Sequence, residues 1–265
     1  MKKMDKTDLR YTVITGASSG IGYATAIAFA KRNKPLIVIA RRQEQLTLLK
    51  QKIADINSEL DVIIKKCDLS VSSNVHSLFT DLEPYFIETW INNAGFGHYG
   101  SVGEQDLNKI ESMLHLNIEA LTILSTLYVR KYHNQSDTQL INISSRGGYT
   151  IVPNAVTYCA TKFYVNAFTE GLAQELIQAN AQLRAKVLAP AATQTEFGKK
   201  ANDIDEYDYD KRFAKYHSAD DMAQFLLALY DSDKIIGEIN TKDFSFSLKD
   251  SILPYSGNPS QNQKS

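Results

Sequence analysis

Tyr158 and Lys162 stand four residues apart in a stretch that reads as a strong helix, so both side chains fall on one face. An ammonium near a phenol stabilises the phenolate and draws its pKa from about 10 toward the working pH. The tyrosine can then act as a general acid or base. Helices often carry tyrosine and lysine at this distance, so the pair alone says little. Ser145 strengthens it. That residue lies just past the apolar run Leu140–Ile143 and just before Gly147 and Gly148. A hydroxyl at the carboxyl end of a strand lies where open α/β sheets bind ligands. From there it could donate to a substrate carbonyl while Tyr158 gives or takes the proton.

A second set of residues suits a dinucleotide. Only 13 of the 265 residues are glycine, and nine of those fall in the windows 16–22, 95–103 and 147–148. The first window sits in YTVIT-GASSGIG-YATAIAFA, which reads as a strand, a tight turn and a helix. Gly16 can make the turn, Gly20 lets backbone approach a pyrophosphate, and Gly22 lets the helix pack closely on the strand. Ser18, Ser19 and Ile21 complete the turn. The helix N-terminus then offers unpaired N–H groups and partial positive charge to a phosphate. An acid at the end of the second strand would bond the ribose hydroxyls of NAD. Here that strand ends Ile39-Ala40-Arg41-Arg42, with no acid before Glu44. A guanidinium here suits a 2′-phosphate and favours NADP(H) over NAD(H); the other reading is that Arg41 and Arg42 only face solvent. Asp68 could accept from an adenine amino group, or be no more than a turn residue.

These residues need a scaffold, and the hydropathy pattern supplies one. Tyr11–Thr15, Leu36–Ala40, Val62–Ile64, Ile87–Ile91, Leu140–Ile143 and Val187–Ala189 read as buried strands. Amphipathic stripes lie between them, such as Val75, Leu78, Phe79 and Leu82. Strands apolar on both faces and alternating with helices predict a parallel sheet covered on both sides. The expected fold is a doubly wound α/β Rossmann domain with about seven parallel strands. No linker interrupts it, so residues 1–250 are expected to form one domain, with 251–265 a flexible tail. Two helices, from about Gln105 to His133 and from about Ala155 to Asn180, are longer than a crossover requires. Their wide apolar faces either only cover the sheet or also meet a second subunit. A further helix, Ala219–Tyr230, has Ser218 as its N-cap, and Gly237–Leu248 reads as a last strand region.

Composition excludes several classes. Hydrophobic residues are 43%, charged residues 22%, and the net charge is −1 with no long basic run. Neither nucleic acid nor a membrane surface is indicated. No apolar stretch approaches the ~18 residues of a membrane span, and the charged start MKKMDKTDLR does not read as a signal peptide. Two cysteines, Cys67 and Cys159, fit a reducing compartment, so the expected location is cytoplasmic. The five histidines show no metal-ligand spacing, and Cys159 reads as a core residue.

Taken together, these residues resemble the short-chain dehydrogenase/reductase family in its shorter, single-domain branch. The resemblance covers roughly residues 8–195. Thr15-Gly16-Ala17-Ser18-Ser19-Gly20-Ile21-Gly22 matches the family's TGxxxGxG turn, and Asn92-Asn93-Ala94-Gly95 its NNAG motif. Asn117, Ser145, Tyr158 and Lys162 match its catalytic tetrad. The resemblance implies that Tyr158 is the acid/base and that Lys162 binds the nicotinamide ribose and lowers the tyrosine pKa. Ser145 would orient the carbonyl, and Asn117 would kink its helix to hold a water in a proton relay. Asn93, Ala94 and Gly95 would line the cofactor, with Asn92 tying strands together. Pro190 matches the family's PG motif, but Ala191 replaces its glycine; Thr193 and Thr195 would meet the nicotinamide amide. Residues 196–217 occupy the place of a substrate lid, where Tyr207, Tyr209 or Phe213 would close over a neutral or apolar substrate.

The implied activity is NADP(H)-dependent hydride transfer between nicotinamide and a small-molecule carbonyl or alcohol. A homodimer or homotetramer through the two long helices would carry it. The rival readings are a catalytically retired NADP(H)-binding sensor or scaffold, and an epimerase or dehydratase of the family's longer branch.

Overall fold

Alternate residues of each central strand supply two separate cores. From Arg10–Thr15 (β1), Tyr11 and Val13 enter one core and Ile14 the other; from Leu36–Ala40 (β2), Ile37 and Ile39 part from Leu36 and Val38 in the same way. A strand that is apolar on both faces must be covered on both. The computed structural model, which describes residues 9–256, shows that cover. Helices Gly20–Lys31 (α1), Gln43–Ile56 (α2) and Ala219–Asp231 (α9) bury one face, around Phe29, Leu46 and Leu226. Helices Ser72–Asp81 (α3), Leu121–Tyr132 (α5) and Val156–Gln178 (α6) bury the other, around Phe79, Tyr128 and Val165.

The remaining strands of this sheet are Val62–Lys66 (β3), Phe86–Asn92 (β4), Gln139–Ile143 (β5), Arg184–Ala189 (β6), Ile236–Ile239 (β9) and Phe246–Lys249 (β10), while Thr193–Gln194 (β7) and His217–Ser218 (β8) pair only with each other. Their order across the sheet is β10-β9-β6-β5-β4-β1-β2-β3. Seven run parallel and β10 is antiparallel to β9. The predicted single strand region Gly237–Leu248 is therefore a pair of strands, with eight in the sheet. Between them Asn240-Thr241-Lys242-Asp243 turns the chain, held by Asp243 accepting from the Ser245 amide. The order reverses between β1 and β4, and the crevice above such a switch point is where doubly wound sheets take their ligands.

Buried polar side chains fix the register beside that crevice. The Asn92 side chain accepts from Trp90 Nε1 and donates to Asn142 on β5 at 2.9 Å and to Ser125 on α5 at 3.1 Å. Asn142 in turn donates to Thr169 on α6 at 2.9 Å. Asn92 thus ties strands and helices, as expected. The long helix predicted from Gln105 begins at Leu107 (α4, Leu107–Leu114), capped by Asp106. It continues through a π-helical turn, His115–Ala120, into α5. α9 starts with a capping box in which Ser218 and Asp221 bond each other's amides.

At the carboxyl end of the chain, Glu170 on α6 accepts from the Ser251 hydroxyl and from the Ile252 and Leu253 amides. Residues 251–253 are thereby fastened to the helix. The rest of the expected tail, 257–265, lies outside the described residues.

Candidate active site

β1 is followed by Gly16, whose φ of +68° and close neighbours both require glycine: a Cβ there would lie 2.9 Å from the Ala94 Cα. Gly22, inside the first turn of α1, has no room either, since a Cβ would meet Asn93 Nδ2 at 2.4 Å and the Gly16 carbonyl at 2.6 Å. Asn93 is the clasp between them. Its side chain donates to the carbonyls of Thr15 and Gly16, while Thr15 Oγ1 accepts from the amides of Asn93 and Ala94. The turn after β1 and the loop after β4 are thus one rigid unit. At the start of α1, Ser19 holds the N-cap position without capping. The first amides of that helix lack a side-chain partner and face the cleft, as a phosphate site requires.

The cleft encloses about 500 Å³. Of the predicted nucleotide residues, Gly16, Ser19, Gly20, Ile21, Asn93, Ala94 and Gly95 line one end of it. Pro190, Thr193 and Thr195 line the same cleft beyond β6. Arg41 and Asp68 lie apart, in a neighbouring hollow of about 480 Å³ at the ends of β2 and β3. Their side chains approach to 3.9 Å, and Arg41 remains 65% exposed. Asp68 accepts from the Ser70 amide and hydroxyl, as a turn residue does. Burial raises its pKa, but Ser70 and Arg41 outweigh that and hold it below the usual value.

Arg42 is the residue that sequence reasoning passed over. It donates to the Ser18 and Ser19 hydroxyls, at 3.2 and 2.8 Å, and pairs with Glu196 across the mouth of the cleft at 3.0 Å. Arg42 and then Lys200 pull the Glu196 pKa down to about 2. The available signal was a pair of arginines with no acid beside them; nothing local indicated which one would turn toward the glycines.

The four tetrad residues converge at the centre. Asn117 sits in the π-helical turn, which is the expected departure from a regular helix, and such turns cluster at functional sites. Its side chain accepts from the Phe96 amide at 3.1 Å and donates to the Phe96 carbonyl and to Thr161 on α6. Gly95 makes this approach possible, because a Cβ there would stand 3.0 Å from Asn117 Oδ1. Lys162 is buried, with Nζ donating to the Ile143 carbonyl at 2.9 Å and lying 5.9 Å from the centre of the Tyr158 ring. Ser145 Oγ accepts from the Gly147 amide at 3.0 Å, which leaves its own hydrogen free to donate. Burial pushes the Tyr158 phenol well above its ordinary value, against a lowering contribution from the Ser145 hydroxyl. Burial also pushes Lys162 down to about 8. In the chain alone loss of water therefore governs the phenol, and the lowering contribution comes from Ser145 where it was expected from Lys162.

Ala191 follows Pro190 without a positive φ, so the alanine sits in backbone open to any residue. Thr193 Oγ1 donates back to the Ala191 carbonyl at 3.0 Å and helps set the loop. Arg146, next to the serine, is held by the nearly buried Glu238, which also pairs with Lys249.

The lid segment forms Phe197–Asn202 (α7) and Tyr209–Arg212 (α8), and Tyr207, Tyr209 and Phe213 all line the cleft. Phe197 and Tyr99 do so as well, with ring centres 5.3 and 5.9 Å from that of Tyr158. The five acids of 202–210 are exposed. Asp203 pairs with Lys109, Asp208 caps α8 and Asp210 accepts from Tyr216.

Residues 10–206 match the family described as short chain dehydrogenase. The chain belongs to that family. It is 31% identical over 235 residues to dehydrogenase/reductase SDR family member 11 of Gallus gallus, covering 84% of this chain and 91% of the relative. Among solved structures, a short-chain dehydrogenase from Sphingobium yanoikuyae in complex with NADPH superposes with a TM-score of 0.79 at 29% identity, covering 87% of each chain. The bulky-bulky ketone specific alcohol dehydrogenase from Comamonas testosteroni superposes with a TM-score of 0.76 at 25% identity, covering 88% of this chain and 86% of that one. This short-chain dehydrogenase is accordingly an NAD(P)-dependent dehydrogenase/reductase. Among the described residues, no helix is long and apolar enough to cross a membrane.

Proposed function

We propose that the chain is an NADP(H)-preferring carbonyl reductase or alcohol dehydrogenase in which Tyr158 is the general acid/base. The observation that carries this reading is the meeting of Tyr158, Ser145 and Lys162 in one cleft with the uncapped start of α1. A bound nicotinamide dinucleotide supplies or accepts the hydride there and, when oxidised, adds a positive charge. Gly16, Ser19, Gly20 and Ile21, which line the cleft at the start of α1, would hold its pyrophosphate. Asn93, Ala94, Gly95, Pro190, Thr193 and Thr195 form the walls toward the nicotinamide.

In reduction, Ser145 donates to the substrate oxygen and fixes the carbonyl. Tyr158 gives that oxygen its proton, which its raised pKa keeps in place at neutral pH. Lys162 binds the ribose and replaces the lost proton's charge. Asn117 commits its side chain to Phe96 and Thr161, so its backbone in the π turn holds the relay water. In oxidation, the same tyrosine must first lose its proton, and the rate rises with pH.

The NADP(H) preference rests on Arg41 and Arg42 at the end of β2 with no acid before Glu44, and the Sphingobium yanoikuyae relative was solved with NADPH. The unstrained Ala191 removes the one local reason to favour a retired sensor. Residues 1–250 act as one catalytic domain with 196–217 as its lid. The exposed apolar side chains of Leu114, Val156, Phe163 and Tyr164 support a homo-oligomer through the two long helices, and the free cysteines support a cytoplasmic location. The test is NADPH oxidation against neutral ketones and aldehydes, with Tyr158→Phe as the comparison. Turnover by the native chain and none by the variant is expected.

A further inference from the structure

The wall of the cleft opposite the nucleotide turn is aromatic. Tyr99, Phe197, Tyr207, Tyr209 and Phe213 line it, drawn from the loop after β4 and from the lid. Tyr207 and Tyr209 meet edge to face at 4.9 Å, and Tyr209 and Phe213 stack at 5.8 Å. Two glycines outside the nucleotide turn seat these rings. A Cβ on Gly198 would lie 2.5 Å from the Tyr207 ring, and a Cβ on Gly97 would lie 2.8 Å from Phe197 Cζ and 3.3 Å from the Tyr99 ring. The rings therefore rest directly on backbone, closer to it than a side chain at 97 or 198 would allow.

The cations of the same cleft are already engaged. Arg146 shares Glu238 with Lys249, and Lys200 shares Glu196 with Arg42. Lys162 is buried on the Ile143 carbonyl. Among the described residues lining the cleft, no cation is without a partner, so a substrate carboxylate or phosphate would have to compete with Glu196 or Glu238 for one. An anion entering here would lose its water and gain only a shared partner, and that costs more than burying a neutral ring. Aromatic walls reward flat apolar groups by edge-to-face and offset contacts.

We propose that the substrate is a neutral, ring-bearing carbonyl compound or the corresponding alcohol. Phe197 and Tyr207, on their glycine seats Gly97 and Gly198, select for the ring. This deepens the oxidoreductase reading and rests on it.

The test uses three related keto compounds. Ethyl benzoylformate and benzoylformate share a ketone and a phenyl ring and differ in charge and in the ethyl group of the ester. Methyl pyruvate keeps the keto ester and lacks the ring. With NADPH and the full chain, kcat/KM for the ethyl ester is expected to exceed that for the acid by about 30-fold or more, the scale of a poorly compensated charge. Its advantage over methyl pyruvate is expected to fall at least about fivefold in Phe197→Ala and in Tyr207→Ala, chiefly through KM. A general loss of folding would lower both esters together and leave that ratio intact, which would overturn the assignment of the two rings. An acid reduced as well as the ester would overturn the neutral class. If neither NADPH nor NADH reduces any of the three, the oxidoreductase reading fails instead. Calorimetry on the ester and the acid then decides the substrate class alone, with tighter binding of the ester expected and tighter binding of the acid overturning it.

Discussion

The two ends of the cleft are built from different materials. The nucleotide end is backbone held against backbone: Gly16 and Gly22 close on Ala94 and Asn93 with no room for a methyl group. The substrate end is side chain held against backbone, with Tyr207 lying over Gly198 and Phe197 over Gly97. One end can only bind what fits a fixed turn. The other can change its ligand by moving a ring. This contrast suits a family fold that keeps one cofactor chemistry while its lids vary.

The seam between the two ends gives the largest expected effect. Lys162 is buried and its charged form disfavoured, with a pKa near 8 against the ordinary 10.5. Lys162→Met should lower kcat by about 10²–10⁴-fold, the usual contribution of a group serving proton transfer. The same change should stabilise the fold by up to about 3 kcal/mol at neutral pH. The sign follows from the shift. A lysine whose folded pKa is depressed destabilises the fold while protonated, fully below pH 8 and less as pH rises toward 10.5. The gain in melting temperature of the variant should therefore shrink over that interval. A variant less stable than the native chain at pH 7 would mean that Lys162 is favourably solvated in place.

A matched pair of glycines tests the contrast itself. A Cβ on Gly22 and one on Gly198 would intrude almost equally, at 2.4 and 2.5 Å from the nearest atom. At Gly22 the neighbours include the Gly16 carbonyl, which cannot move without opening the turn. Gly22→Ala should weaken NADPH binding, followed by its fluorescence, by about 30-fold or more. At Gly198 the nearest atoms belong to the ring of Tyr207, and Gly198→Ala should shift that affinity by less than about threefold. Equal losses would erase the distinction between a rigid end and a yielding one.

The smallest effect concerns the choice of cofactor. Arg41 is largely exposed and 3.9 Å from Asp68, so its contact with a 2′-phosphate would be screened. Arg41→Ala should weaken NADPH binding by about tenfold and NADH binding hardly at all. Equal losses for both would shift the phosphate-reading role away from Arg41, and the same titration on Arg42→Ala would then show whether the residue on Ser18 and Ser19 carries it.

The same contrast explains what the sequence disclosed. The nucleotide end was legible because its parts are local: three glycines between a strand and a helix, an NNAG after another strand, a tyrosine and a lysine one helical turn apart. Each spacing is itself the geometry. The parallel sheet covered on both faces was legible too, because apolar runs alternating with amphipathic ones admit few arrangements. The substrate wall was legible only in part. Tyr207, Tyr209 and Phe213 could be named as lid residues, but Tyr99 lies about a hundred positions earlier and meets Phe197 only through the fold. Glu170 and Glu238 were also missed. Each is an acid within a largely buried element that secures a neighbour of the site, Glu170 through Tyr149 and Glu238 through Arg146. A lone acid in the apolar run Ile235-Ile236-Gly237-Glu238-Ile239 was a usable signal for the second.

In the proposed mechanism Tyr158 moves the proton while the rest of the cleft binds and orients. The most direct measurement is a single turnover of Tyr158→Phe loaded with NADPH and mixed with a neutral ketone, alongside a titration of NADPH fluorescence on the same protein. Phenylalanine keeps the ring against Phe197 and Tyr99 and removes only the hydroxyl. Nicotinamide oxidation slowed by at least about 10²-fold is expected, with NADPH affinity within about twofold of the native chain. A variant that binds NADPH normally and oxidises it at the native rate would exclude Tyr158 as the acid/base.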